Sequence, residues 1–112
     1  MAHLFVNAIS EDTIAAPGNR QANYIVVSVT DANGIPVTGL TIPNFKVDPV
    51  IVGPGGSLVN ITGISAGRIP GTYLIFVVPV LTETWKGGVY IFAVAVTRGA
   101  DQGQNLCSVL MD

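Results

Sequence analysis

The chain has 112 residues and a formal net charge of −2, and its composition is 49% hydrophobic but only 11% charged. That length makes one domain over residues 1–112 the expectation, and it lets roughly two thirds of the unfolded surface be buried without disulfide staples. The cations Arg20, Lys46, Arg68, Lys86 and Arg98 are scattered; nucleic-acid binding needs concentrated positive charge, a membrane-surface helix needs a basic amphipathic face, and insertion needs a long apolar run, so all three are excluded.

Residues 4–9 read as a short first strand. Residues 10–23 are polar and contain Gly and Pro, with a turn at Glu11-Asp12-Thr13, room for brief pairing over 13–16, and a loop at Ala15-Ala16-Pro17-Gly18-Asn19. The most informative stretch is 24–47, YIVVSVTDANGIPVTGLTIPNFKV. Ile25, Val27 and Val29 alternate with Tyr24, Val26, Ser28 and Thr30, the period of a strand with one face in the core. Asn33-Gly34 accepts positive φ, and the Asp31 carboxylate can take hydrogen bonds from the turn's own N–H groups. Pro36 demotes 35–40 to an edge or irregular strand, and Gly39 marks a bend. Phe45 and Val47 resume the alternation; Asp48-Pro49 interrupts it, and 50–52 extends again. Gly53-Pro54-Gly55-Gly56 is a turn rather than a phosphate loop, because no Lys-Ser/Thr follows.

Residues 58–64 read as the next strand and 65–71 as a corner. Residues 72–80 form a strand apolar on both faces, with Leu74, Phe76 and Val78 on one and Tyr73, Ile75 and Val77 on the other. A loop over 82–88 carries Glu83, Trp85 and Lys86. Residues 89–97 follow, with Tyr90, Phe92, Val94 and Val96 on one side and Ala93 and Ala95 on the other; Tyr73 or Tyr90 is a candidate for a tyrosine-corner hydrogen bond. A polar turn over 98–103 leads to a last strand over 105–111. Seven to nine short strands with turns every 8–12 residues and no helical periodicity predict an all-β, antiparallel sandwich.

The run VSVTDANGIPVTGL at 27–40 resembles the second-strand region of bacterial immunoglobulin-like domains of the invasin and intimin type, and Pro70-Gly71-Thr72-Tyr73 is similar to the PGxY that opens a late strand in them. The resemblance implies an immunoglobulin-like sandwich that works as a binding or structural module. Similar runs occur in other sandwich domains. Such domains are usually met as repeats in secreted chains, whereas the start MAHLFVN lacks a basic and apolar leader. The expected location is therefore the cytoplasm as made, or a cell-surface or secreted protein from which this domain is excised.

The chemical inventory is thin. One histidine, His3, and one cysteine, Cys107, cannot build a tetrahedral zinc site in one chain, and they form a nucleophilic pair only if the first and last strands touch. Adjacent Glu11 and Asp12 point apart in an extended chain, which is poor for paired acid–base work. Asp31, Asn33 and Asp48 offer oxygens to calcium, though turn capping explains Asp31 as well. No cofactor is expected, and no enzyme. At 11% charge, many outward strand positions must be apolar, either as a mild Thr/Ser/Asn/Gly surface or as a patch that another chain covers. The leading reading is a non-enzymatic module that associates with itself, as a homo-oligomer or part of a larger assembly, or with another protein, by an apolar sheet face or an edge strand. The alternative is a carbohydrate or small-ligand module using loop Trp85. Trp85, Tyr90 and Phe76 are the candidate contacts; the competing expectation is that Trp85 folds over the end of the sandwich.

Overall fold

Alternating β-branched residues give this chain little but strand to form. The structure, a computed structural model, describes residues 3–11, 18, 20–51 and 58–111. Its strands are β1 (Phe5–Glu11), β2 (Asn23–Thr30), β3 (Phe45–Ile51), β4 (Val59–Ala66), β5 (Thr72–Pro79), β6 (Gly88–Arg98) and β7 (Asp101–Met111), with one turn of 3-10 helix at Ile42–Asn44. They make a four-stranded sheet, β1-β2-β5-β4, and a three-stranded sheet, β3-β6-β7, both with antiparallel pairing. Lettered A to G in chain order, this is the ABED and CFG arrangement of a constant-type immunoglobulin sandwich.

The inward set follows the alternation. Ile25, Val27 and Val29 of β2 and Ile75 and Val77 of β5 face Phe92, Val94 and Val96 of β6, all essentially without solvent contact. Between β2 and β3, the Asp31 Oδ1 accepts from the N–H groups of Asn33 and Ile35 at 2.9 and 3.0 Å. Gly34 sits at φ +78°. Residues 35–40 form no strand, meeting β2 only through a Thr30–Pro36 bridge. They are held instead by Tyr73, whose hydroxyl donates to the Val37 carbonyl at 2.7 Å and accepts from the Leu40 N–H at 3.2 Å.

Four boundaries differ from expectation. β1 runs on to Glu11, which pairs with Tyr24 where a turn was expected to begin. β3 runs through Pro49 with a register shift before Ile51; β3 is an edge strand, and an edge tolerates a residue with no N–H. β6 and β7 pair from Arg98–Asp101 onward, so the polar turn shrinks to Gly99-Ala100, and Gly99 supplies the positive φ such a turn requires. β4 continues to Ala66 past a bulge between Ile61 and Gly63. The turn expected at 53–56 and the features expected over 12–17 lie outside the described residues.

The two open sides of the sandwich are unlike. On one, the chain before β1 crosses to the other sheet: His3 bridges Gln102 in parallel, the Leu4 N–H donates to the Gln102 carbonyl at 2.9 Å, and Asn105 Nδ2 donates to the Val6 carbonyl at 2.8 Å. Gly103 permits this approach, since a Cβ there would lie 2.0 Å from the Leu4 carbonyl oxygen. On the other side β3 and β4 leave a cleft.

Candidate functional site

Trp85 and Tyr90 were candidate contact residues, with packing of Trp85 over the end of the sandwich as the competing expectation, and the structure places both in the interior. Trp85 is fully buried and Tyr90 is 1% exposed. The loop between β5 and β6 folds the indole over the end of the sandwich, where its ring lies 5.3 Å from Tyr90 and 6.5 Å from Phe92 in edge-to-face contacts. The polar atoms decide this arrangement. The indole Nε1–H donates to the Gln21 carbonyl at 2.7 Å, and the Tyr90 hydroxyl accepts from the Lys86 N–H at 2.9 Å. That second bond, reaching back across the corner before β6, is a tyrosine corner. With both ring systems covered, neither offers a face for a sugar to stack on.

Phe76 occupies a different surface, the outer face of the four-stranded sheet. The register aligns Ile9, Val26, Leu74 and Ser65 in one row across β1-β2-β5-β4, and Tyr24, Phe76 and Gly63 in the next. Tyr24 and Phe76 meet edge-to-face at 4.9 Å. Phe76 also leans over Gly63, where an added Cβ would come within 3.1 Å of the ring. An aromatic ring laid across a strand glycine repairs the packing that the glycine omits. Val26, Leu74 and Val78 are half-buried, while Phe5 and Ile9 are 57% and 61% exposed. Glu11 of β1 stands opposite Tyr24 at the end of the second row, and the other positions of the two rows carry no charged residue.

The outer face of the three-stranded sheet carries a second apolar set that the sequence reading passed over. Leu106 and Leu110 on β7 are about half exposed and pair with Ala93 and Val89 of β6, and Ile91 lies between them. The signal was available: Leu106, Ser108 and Leu110 alternate with Cys107 and Val109.

Chemical candidates do not converge. Cys107 is buried on β7, and burial raises its thiol pKa to about 11; a protonated thiol is a poor nucleophile. His3 is exposed and pairs with Gln102, five residues along β7 from Cys107. Asp31 is occupied by its own turn, whereas Asp48 lies on β3 in the other sheet, 3.6 Å from the Lys46 ammonium. Among the described residues no group of three or more His, Cys, Asp or Glu is placed to hold a metal ion. Nor is any helix among them long and apolar enough to cross a membrane. Compared with known proteins, the chain matches no family model, no curated protein and no solved structure.

Proposed function

We infer that this protein is a non-enzymatic interaction or structural module that associates, with itself or with another protein, through the outer face of its four-stranded sheet. The observation that carries this reading is the apolar surface on which the Ile9-Val26-Leu74 row runs beside the Tyr24–Phe76 pair. Contiguous apolar surface of this kind on a folded chain marks a place where another surface is received. Its position on a sheet, with side chains fixed by cross-strand neighbours, means that little conformational freedom is lost on docking. The similarity of residues 27–40 and 70–73 to bacterial immunoglobulin-like domains supports the same assignment, since such domains work as binding and structural modules.

The test is solution mass by light scattering over a concentration series. The wild-type chain is expected to form an oligomer of defined size, and Ile9→Glu and Leu74→Glu are expected to return it to a monomer with its fold intact. A monodisperse monomer at the highest concentration reached would refute self-association through this face.

A further inference from the structure

We propose that a groove on the outer side of the three-stranded sheet, where the chain before β1 crosses to β7, binds a neutral carbohydrate. This goes beyond the association of the chain through its four-stranded sheet and does not depend on it.

The register lays the groove out. Ala95 of β6 pairs with Gln104 of β7, and Thr97 pairs with Gln102. Gln102 in turn bridges His3 in parallel, so Thr97, Gln102 and His3 stand in one row across three segments. Inward and outward positions separate here: Val94 and Val96 are buried, whereas Thr97, Gln102 and Gln104 are exposed and Ala95 is half-buried. These outward residues, with His3 and Phe5, border a concavity of about 530 Å³, a size usual for small-molecule sites. Leu4, Val6 and Val96 beneath it belong to the core and take no part in binding.

Small residues and one close approach give the groove its shape. Ala95 places a single methyl group beside the Gln104 side chain, which keeps the floor low. Gly103 lets the Leu4 carbonyl come against β7, since a Cβ there would collide with that oxygen. The approach brings His3 and Phe5 alongside β7 as one wall, with their rings 6.0 Å apart and tilted by 59°. Asn105 ties this wall to β7: its Nδ2 donates to the Val6 carbonyl at 2.8 Å, and its Oδ1 accepts from the Leu106 N–H at 2.8 Å. On the far side the Thr97 carbonyl accepts from Asn44 Nδ2 at 2.9 Å. Walls fixed in this way lose little freedom when a ligand enters.

The lining selects the class of ligand. It contains no Asp, Glu, Lys or Arg. The flanking cations, Lys46 opposite Ala95 and Arg98 after Thr97, are in ion pairs with Asp48 and Asp101. A phosphate or carboxylate would therefore meet no unpaired cation. A wholly apolar ligand would cover the Gln104 amide and the Thr97 hydroxyl without pairing them, which costs more than leaving them in water. A sugar satisfies both conditions, because its C–H face packs on an aromatic ring while its hydroxyls donate and accept around the rim. Phe5, at 57% exposure, supplies the ring. Each glutamine amide offers a donor and an acceptor, and the Thr97 hydroxyl offers both. Phe5 thus takes the role that buried Trp85 cannot fill.

The experiment is amide NMR on the full isotope-labelled chain, titrated separately with maltose, lactose, cellobiose and N,N′-diacetylchitobiose. At least one of these sugars is expected to shift the amides of Ala95, Thr97, Gln102 and Gln104 and to receive saturation transfer from the Phe5 ring. Gln104→Ala should weaken that binding about threefold to tenfold, the worth of one hydrogen bond. Phe5→Ala should weaken it about tenfold through loss of the stacked ring. Ala95→Leu fills the floor from an outward position, so it should abolish binding while amides away from the groove keep their wild-type shifts. Ile9→Glu and Leu74→Glu should bind the sugar as the wild type does, which separates this site from the association face. The proposal is overturned if none of these sugars shifts an amide, if shifts are confined to Tyr24, Leu74 and Phe76, or if binding survives Ala95→Leu and Gln104→Ala unchanged. Tighter binding of galacturonic acid than of galactose would also overturn it, because a charge would then set the recognition.

Discussion

Two buried polar atoms at one end of the molecule show how single residues hold this fold. The Trp85 indole nitrogen donates to the Gln21 carbonyl ahead of β2, and the Tyr90 hydroxyl satisfies the Lys86 N–H in the corner between β5 and β6. Trp85→Ala removes both the plug and its bond, and should cost about 3–5 kcal/mol in denaturant unfolding. Tyr90→Phe keeps the ring and orphans the Lys86 N–H, for about 1–3 kcal/mol; an effect of Tyr90→Phe as large as that of Trp85→Ala would contradict this division. Cys107 makes a prediction in pH. Its thiol pKa rises from 9.0 to about 11 on folding. A group whose pKa is raised in the folded state contributes stability that is complete below the unfolded value and is lost as pH rises through the folded one. Wild-type stability should therefore fall between pH 9 and about 11 more steeply than that of Cys107→Ala, and identical slopes would show the thiol to be solvated. The burial of Trp85 was not legible locally: its partner, the Gln21 carbonyl, is 64 residues away, and nothing in Thr84-Trp85-Lys86 specifies that contact.

The strands themselves were legible because their side chains repeat with period two, and the hydrophobic half of β2 could be assigned to the core from that alone, whereas β5 is apolar on both faces and its inward half was not marked. Pairing was not, because the partner of a strand depends on the register of residues far along the chain. Pro49 illustrates the difference: as a sequence signal it ends a strand, yet as an edge residue of β3 it need only turn its missing donor outward. Glycines divide in the same way. Gly34 has a positive φ and open space around it, whereas Gly103 has ordinary backbone but the Leu4 carbonyl against it. Gly34→Ala should cost about 1 kcal/mol of backbone strain. Gly103→Ala must push β1 away from β7 and should cost on the order of 3 kcal/mol, with faster amide exchange at Leu4. The reverse order in thermal unfolding would mean that β1 is not seated against β7.

At the scale of the whole molecule, a chain only 11% charged still builds a sandwich whose described inward faces are apolar apart from Asn23, so the shortage of charge is felt on its outward faces. Composition made that surplus legible; its location required the register, which sets Ile9 beside Val26 and Leu74. Association driven by such a face should strengthen or hold steady as salt is raised, since apolar burial is not screened and sulfate favours it. Loss of the oligomer at high salt in the light-scattering series would assign assembly to charged contacts instead.

The bond from Asn105 to Val6 joins residues 99 positions apart. Closing so long a loop costs conformational entropy before any contact rewards it, and folds dominated by such pairings mature in milliseconds to seconds rather than microseconds. On a ribosome, β1 can pair with β2 early, but its seat against β7 becomes available only after β7 itself has emerged. Until then β1 has one free edge, and the interval in which the chain is open to strand exchange with its neighbours is set by the time needed to synthesise its last strand.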